Sequence, residues 1–139
     1  MANSYTLEVV TPEKVLLSEA VIQTTIPGVE GYLGILAGHT PLMTEIRPGE
    51  VRVQLADGRT TSHIVVAGGF VEVTPQRTTI LADRAERVDE IDMTRAESDL
   101  EAARQLLADA VAESKDTKAA EGAIAYAETR IRIGRTGLR

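Results

Sequence analysis

The chain has 139 residues, 43% of them hydrophobic, no cysteine, and a formal net charge of −6 at neutral pH. That length suits one ordinary domain, or a compact domain with an appendage, and excludes two large ones. The acidic balance argues against a nucleic-acid partner, which calls for a basic face, and with one Phe, three Tyr and no Trp there is no aromatic platform on which bases could stack.

Lack of cysteine removes disulfides, thiolate metal sites and a cysteine nucleophile together, and suits a reducing compartment. No apolar run approaches the roughly 18 residues of a membrane span, and the opening MANSYTLEVV lacks the basic start and apolar stretch of a secretory signal. An intracellular protein that does not itself insert into a membrane is the expectation.

From Tyr5 to about Ala82 the apolar residues fall in short β-branched runs separated by Pro, Gly and Asp, the pattern of many short strands. Candidate strands are Tyr5 to Val10, Val15 to Ser18, Ala20 to Ile26, Gly31 to Leu36, Met43 to Ile46, Glu50 to Leu55, Thr60 to Ala67, Phe70 to Thr74 and Thr78 to Leu81. Their number and spacing predict a sandwich or barrel. Val51, Val53 and Leu55 alternate with Arg52 and Gln54 and are followed by Asp57-Gly58, which reads as a hairpin with a type I′ turn. Gly68-Gly69 marks a second tight reversal.

RAERVDEI, with its crowded charges, reads as a connector over Glu86 to Glu90. Beyond it Ala, Glu, Arg and Leu dominate, with no Gly or Pro before Gly122. Asp92 stands where a helix N-cap is expected, and Ala96, Leu100, Ala103, Leu107, Ala110 and Val111 recur at helical spacing as one buried stripe. After a polar break at Ser114 to Thr117, a second stripe at Ala120, Ala123, Ile124, Ala127 and Ile131 ends near Gly134. The two helices are predicted to pack antiparallel through an alanine-rich seam that buries little area, so the hairpin should detach readily. Expected boundaries are 1–88 for the strand domain and 89–139 for a regulatory helical hairpin.

His39 and His63 stand far apart without an HExxH or Cys/His cluster, so no metal site is expected. Neither a GxSxG elbow nor a GxxxxGK[ST] phosphate loop occurs, and no catalytic residue is assigned.

Gly31, Leu33, Gly34, Ile35, Leu36, Gly38, His39, Pro41, Leu42 and Thr44 match the pattern Gly-x-x-Gly-Ile-Leu-x-x-His-x-Pro-Leu-x-Thr, followed by Gly49, Val51, Ala67-Gly68-Gly69-Phe70-Val71-Glu72-Val73 and Leu81-Ala82-Asp83. On these residues the chain resembles the epsilon subunit of F-type ATP synthases, bacterial or plastid, over essentially its whole length. Ala37, where the family commonly has proline, is a minor departure.

The resemblance implies a β-sandwich of about ten strands followed by an antiparallel two-helix hairpin. It implies a non-catalytic central-stalk subunit that couples the gamma subunit to the membrane rotor ring for proton-driven synthesis. Its C-terminal helices would restrain ATP hydrolysis by meeting catalytic beta subunits in the inhibited state. The place implied is peripheral, on the cytoplasmic face of the cell membrane, or the stromal face of a thylakoid in a plastid. Gly31, Leu33, Gly38, His39, Pro41 and Leu42 would form the gamma and rotor interface, and Arg130, Arg132, Arg135 and Arg139 the inhibitory contacts.

No cofactor is implied, with ATP the one ligand in question. Ile91, Asp92, Arg95 and Ala96 match a motif with which some members bind ATP, aided by basic residues of the second helix. Arg130 occupies one of those basic positions but Tyr126 another, so the expectation is a weakened or lost site. Two rival readings stand beside the stalk subunit: a sensor whose output is ATP binding to the hairpin, and a β-sandwich adaptor unrelated to ATP synthase.

Overall fold

A computed structural model of the chain describes residues 3–137. Up to Arg87 the chain forms nine strands: β1 (Tyr5–Val10), β2 (Val15–Gly28), β3 (Gly31–Ile35), β4 (Leu42–Ile46), β5 (Gly49–Leu55), β6 (Thr61–Val66), β7 (Gly69–Val73), β8 (Arg77–Ala82) and β9 (Ala85–Arg87). A 3₁₀ turn, Val88–Glu90, precedes α1 (Met93–Ala112) and α2 (Lys118–Gly137). The chain divides into two compact units between Arg87 and Val88.

The strands run in the order β1-β8-β7-β4-β2-β5-β6-β9, with β3 on β2 and β1 also on β2. All pairings are antiparallel except β1 with β8. Strand β2 is what makes a sandwich of one continuous sheet. Its first half pairs with β1, its second with β3 and β5, and the register slips between Val21 and Gln23. Such an irregularity bends a strand and increases its twist, so one strand serves both layers.

Alternation then fills the space between the layers. Leu7, Val9, Val21, Ile26, Ile35, Val51, Val53, Ile64, Val66, Val71 and Ile80 form the core, each at most 1% exposed.

Several expected details change. The separate strands expected at Val15 to Ser18 and Ala20 to Ile26 are one strand, and β9, outside the candidate strands, brings the number among the described residues back to nine. The connector expected at Glu86 to Glu90 begins with strand β9, which pairs Ile64 with Arg87 and Val66 with Ala85. Arg87 holds that edge in place by donating from its guanidinium to the Leu16 carbonyl at 3.2 Å and to Ser62 Oγ at 3.3 Å.

The Asp57-Gly58 hairpin exists, but its turn is not type I′. Only Gly58 has positive φ (73°), and Leu55 N–H reaches the Thr60 carbonyl around a five-residue loop. Asp57 shapes that loop instead by accepting from the backbone N–H groups of Arg59 and Thr60, both at 2.8 Å. These bonds, led by that from the Thr60 hydroxyl, hold its carboxyl below the usual carboxylate range. The Gly68-Gly69 reversal, by contrast, joins strands that do not pair: β6 lies between β5 and β9, and β7 between β4 and β8.

Tyr5 ties the two layers by a polar bond inside the core. Its hydroxyl lies 3.0 Å from the Ile35 carbonyl and 2.6 Å from Thr24 Oγ1. The carbonyl can only accept, so the phenol donates to it and takes the Thr24 hydroxyl proton as acceptor. Burial pushes the Tyr5 pKa above its usual 10.0, partly offset by the Thr24 bond. Tyr5→Phe should cost about 1–3 kcal/mol, because it leaves a buried hydroxyl and carbonyl short of a partner. The unfolded chain ionises first on alkalinisation, so the stabilisation is complete below a pH of about 10 and is lost as pH rises through the higher folded value. Urea denaturation at neutral and high pH checks both parts: the variant should be weaker at pH 7 and fall less steeply at alkaline pH.

In the second unit, Asp92 is the N-cap of α1, its Oδ1 accepting from Arg95 N–H at 3.0 Å. Ser114, at φ 54°, takes the left-handed position that ends α1, with Lys115 N–H on the Ala110 carbonyl at 2.8 Å. Ala96, Ala103, Ala120 and Ala127 are buried along the seam, whereas Val111, expected there, is 64% exposed. Helix α2 does not end at Gly134. A Cβ at that buried position would lie 2.5 Å from Met93 Sδ, so glycine serves close helix packing rather than termination.

Candidate functional surfaces

Three surfaces stand out. The first surrounds β3. Residues expected to form one interface fall at different ends of this strand: Gly31 begins it beside the Val29-Glu30 turn, while Gly38, His39 and Pro41 lie in the loop beyond its other end. Strand rise alone puts about 13 Å between Gly31 and Ile35. Leu33 and Leu42 turn inward and pack against the core. The large apolar side chains left outside here are Val29, Tyr32 and Leu36.

Tyr32 lies under the Arg47 guanidinium, 5.2 Å from ring centroid to Cζ, and Arg47 Nε donates to the Gly28 carbonyl at 3.1 Å. At the other end, Gly38 N–H binds the Pro75 carbonyl at 2.9 Å, which fixes the loop to the β7–β8 turn. His39 Nδ1 is 2.7 Å from the Thr40 carbonyl. Because that oxygen only accepts, Nδ1 carries the proton and Nε2 is left as an acceptor.

The second surface is the outer face of β1, β8, β7 and β4, which sequence patterning did not single out. Val10 lies beside Leu81, Leu81 opposite Phe70, and Phe70 opposite Glu45, with Met43 on the diagonal from Phe70 through its pairing with Glu72. Phe70 is 55% exposed, Leu81 54% and Met43 68%. Cross-strand neighbours on one face lie within about 5–8 Å, so these side chains form one apolar patch. Glu45 and Glu72 flank it, and Glu8 belongs to the same face, where it pairs with Arg77. An apolar patch with a charged rim is the usual form of a protein-docking surface. The available signal was phase: in FVEV, Val71 and Val73 cannot share an inward face with Phe70.

The third surface is the helical hairpin. Asp99 on α1 accepts from Arg95 Nε at 3.3 Å through Oδ1 and from Arg130 Nη1 of α2 at 3.0 Å through Oδ2. The Arg130 side chain is only 10% exposed, and its guanidinium lies 5.6 Å from the Tyr126 ring centroid. Arg135 approaches Glu97 at 3.5 Å, both well exposed, and Arg132 is exposed. The four expected inhibitory arginines are therefore not equivalent: Arg130 is buried within the hairpin, Arg132 and Arg135 are exposed, Arg135 within reach of Glu97, and Arg139 lies outside the described residues. Of the expected nucleotide motif, Asp92 and Arg95 are exposed at the start of α1, Ile91 is half-buried and Ala96 is buried. A groove of about 630 Å³ between the helices sets Arg104, Arg132 and Arg135 against Glu97, Glu101 and Glu128 over Leu100 and Ile131.

A sandwich with an apolar outer face, joined to a charged helical hairpin, defines an interaction protein of two parts. The profile of the family described as ATP synthase, Delta/Epsilon chain, beta-sandwich domain matches residues 4–88. ATP synthase epsilon chains of Brucella canis and Brucella suis biovar 1 are each 50% identical over 119 residues, covering 86% of this chain and 87% of theirs. A chain of the Euglena gracilis mitochondrial ATP synthase OSCP/F1/c-ring structure superposes with a TM-score of 0.71 at 27% identity, covering 98% of this chain and 82% of that one. The chain belongs to the ATP synthase delta/epsilon chain family. It is an epsilon-type member, a subunit of the ATP synthase complex.

Proposed function

We propose that this subunit is non-catalytic and works as the coupling piece of the central stalk. The sandwich joins the gamma subunit to the membrane rotor ring during proton-driven ATP synthesis, and the helices restrain hydrolysis by meeting the catalytic beta subunits. The apolar patch on Phe70, Leu81 and Met43 carries this reading: a stable sandwich leaves such a surface uncovered when a partner covers it. Gamma is assigned to the patch, and the rotor ring to the β3 edge and the loop at Gly38, His39 and Pro41. Similarity to a chain solved together with F1 and c-ring supports partners of this kind.

The place of work is the cytoplasmic face of the cell membrane, held there by partners. No described helix is long and apolar enough to cross a bilayer.

Reconstitution with gamma and the catalytic hexamer tests the inhibitory half. A chain ending after Asp89 should raise ATP hydrolysis several-fold while still binding gamma, and replacing Arg132 and Arg135 with alanine should reproduce part of the gain. Both are exposed cations in the described last turns of the hairpin, and the solvent-exposed pair of Arg135 with Glu97 is of a kind weak enough to exchange for carboxylates on a partner. Unchanged hydrolysis at full occupancy of the shortened chain would remove the inhibitory role.

A further inference from the structure

We infer that Asp99 takes the place of a nucleotide phosphate in this hairpin: its carboxylate, shared by Arg95 and Arg130, closes α1 on α2 from within and leaves the chain without ATP control. The inference rests on the family reading only for the choice of ATP as the ligand to be tested.

A phosphate bound by the motif residue Arg95 and the α2 residue Arg130 together would have to approach both guanidinium groups at once. Asp99 already stands there. Its two oxygens each meet one arginine, at 3.3 and 3.0 Å, in the bridging arrangement a phosphate would otherwise supply. Placing a second anion beside that carboxylate sets like charges against each other and competes for the guanidinium of Arg130, whose side chain is largely shielded from water while that of Asp99 is 44% exposed.

The other groups point the same way. Asp92, the motif carboxylate, spends Oδ1 on the Arg95 backbone N–H as the helix cap. Tyr126 presents a ring to the Arg130 guanidinium, where a second cation would be needed to favour a polyphosphate. The guanidinium groups of Arg95 and Arg130 thus share the one carboxylate of Asp99, while Asp92 adds a second negative charge at the start of α1, so the motif offers no excess of positive charge to a ligand bearing several negative ones.

The clasp also explains how an alanine seam is held. Small side chains bury little area, so a charge pair spanning α1 and α2, with one member mostly buried, fixes their register where packing is thin. Asp99 is here a positioning residue, acting through the two arginines.

The test uses the isolated full-length chain, with ATP as probe and inorganic phosphate as control, followed by calorimetry and by amide exchange across α2. Wild type should show no saturable ATP binding up to about 1 mM, and Asp99→Asn, which keeps the shape and removes the charge, should bind ATP at least about tenfold more tightly. Asp99→Asn should also speed exchange in α2, and ATP should slow it again. Submillimolar ATP binding by wild type would overturn the inference. So would an Asp99→Asn chain of unchanged helix content that gains no ATP affinity, or one whose loosened hairpin ATP does not restore. Should the asparagine variant lose the hairpin entirely, Asp99→Glu supplies the second measurement: a retained carboxylate should keep both the slow exchange and the insensitivity to ATP, and failure to keep them would count against the clasp. The assay contains no other subunit, so its failure leaves the docking and inhibitory roles standing, and their failure in the assembled complex leaves the clasp standing.

Discussion

Gly69→Ala is expected to unfold the sandwich or leave it barely folded at room temperature. Gly69 has φ 138°, a region that side-chain-bearing residues rarely enter, and a Cβ there would lie 2.0 Å from the Leu81 carbonyl oxygen and 3.0 Å from Ala82 Cα. The neighbour that would have to yield is backbone, the carbonyl of the strand with which Gly69 pairs opposite Ala82. Relief requires parting the start of β7 from β8, which also shifts Val71 and Ile80, both fully buried. Backbone strain costs about 1–3 kcal/mol and the disturbed core more, so a loss of about 4 kcal/mol or greater is expected against a total stability of about 5–15 kcal/mol. Gly122→Ala is the control: nothing lies within 4 Å of its Cβ position and it sits inside α2, so alanine should add about 0.5–1 kcal/mol. Urea midpoints by circular dichroism decide the matter. A Gly69→Ala midpoint equal to wild type would show that the strand pairing at this corner is not as described.

Phe70→Glu combined with Leu81→Glu should weaken binding to the gamma subunit by about 100-fold or more while leaving the sandwich folded. Both side chains point outward from paired strands and are more than half exposed, so the fold loses little when they become polar. Buried against a partner they are central apolar anchors, and two such residues at about 1.4 kcal/mol each account for the factor. The new carboxylates would also join Glu45 and Glu72 and raise the negative charge where an apolar surface must seat. Biosensor titration of gamma against both chains measures the effect. A parallel pair at the loop, His39→Asp with Pro41→Lys, separates the surfaces: it should leave gamma affinity within a few-fold and impair attachment to the rotor ring. If the loop pair abolishes gamma binding and the sheet pair does not, gamma docks at the end of the sandwich instead.

The sequence alone determined the pieces whose causes are local. Alternation of Val51, Val53 and Leu55 with Arg52 and Gln54 defined β5, since side-chain direction in a strand depends only on its period. Asp92 marked the start of α1 because a free backbone N–H two or three residues on needs an acceptor wherever a helix begins. The family pattern from Gly31 to Thr44 was legible for the same reason, residue by residue.

Tertiary structure decided what depends on distant partners. Strand β2 is one bent strand because β1 and β5 claim its two halves, and β9 is a strand because β6 offers an edge, neither of which is written in VLLSEAVIQTTIPG or AER. Phe70 became a surface residue only when β7 was fixed between β4 and β8 with Val71 and Val73 inward. Asp99 and Arg130 are 31 residues apart, and their contact exists only because two helices fold back on each other. Spacing encodes which face a residue takes on its own element. Which face another element covers is settled by burial summed over the whole fold, and that sum has no local signature.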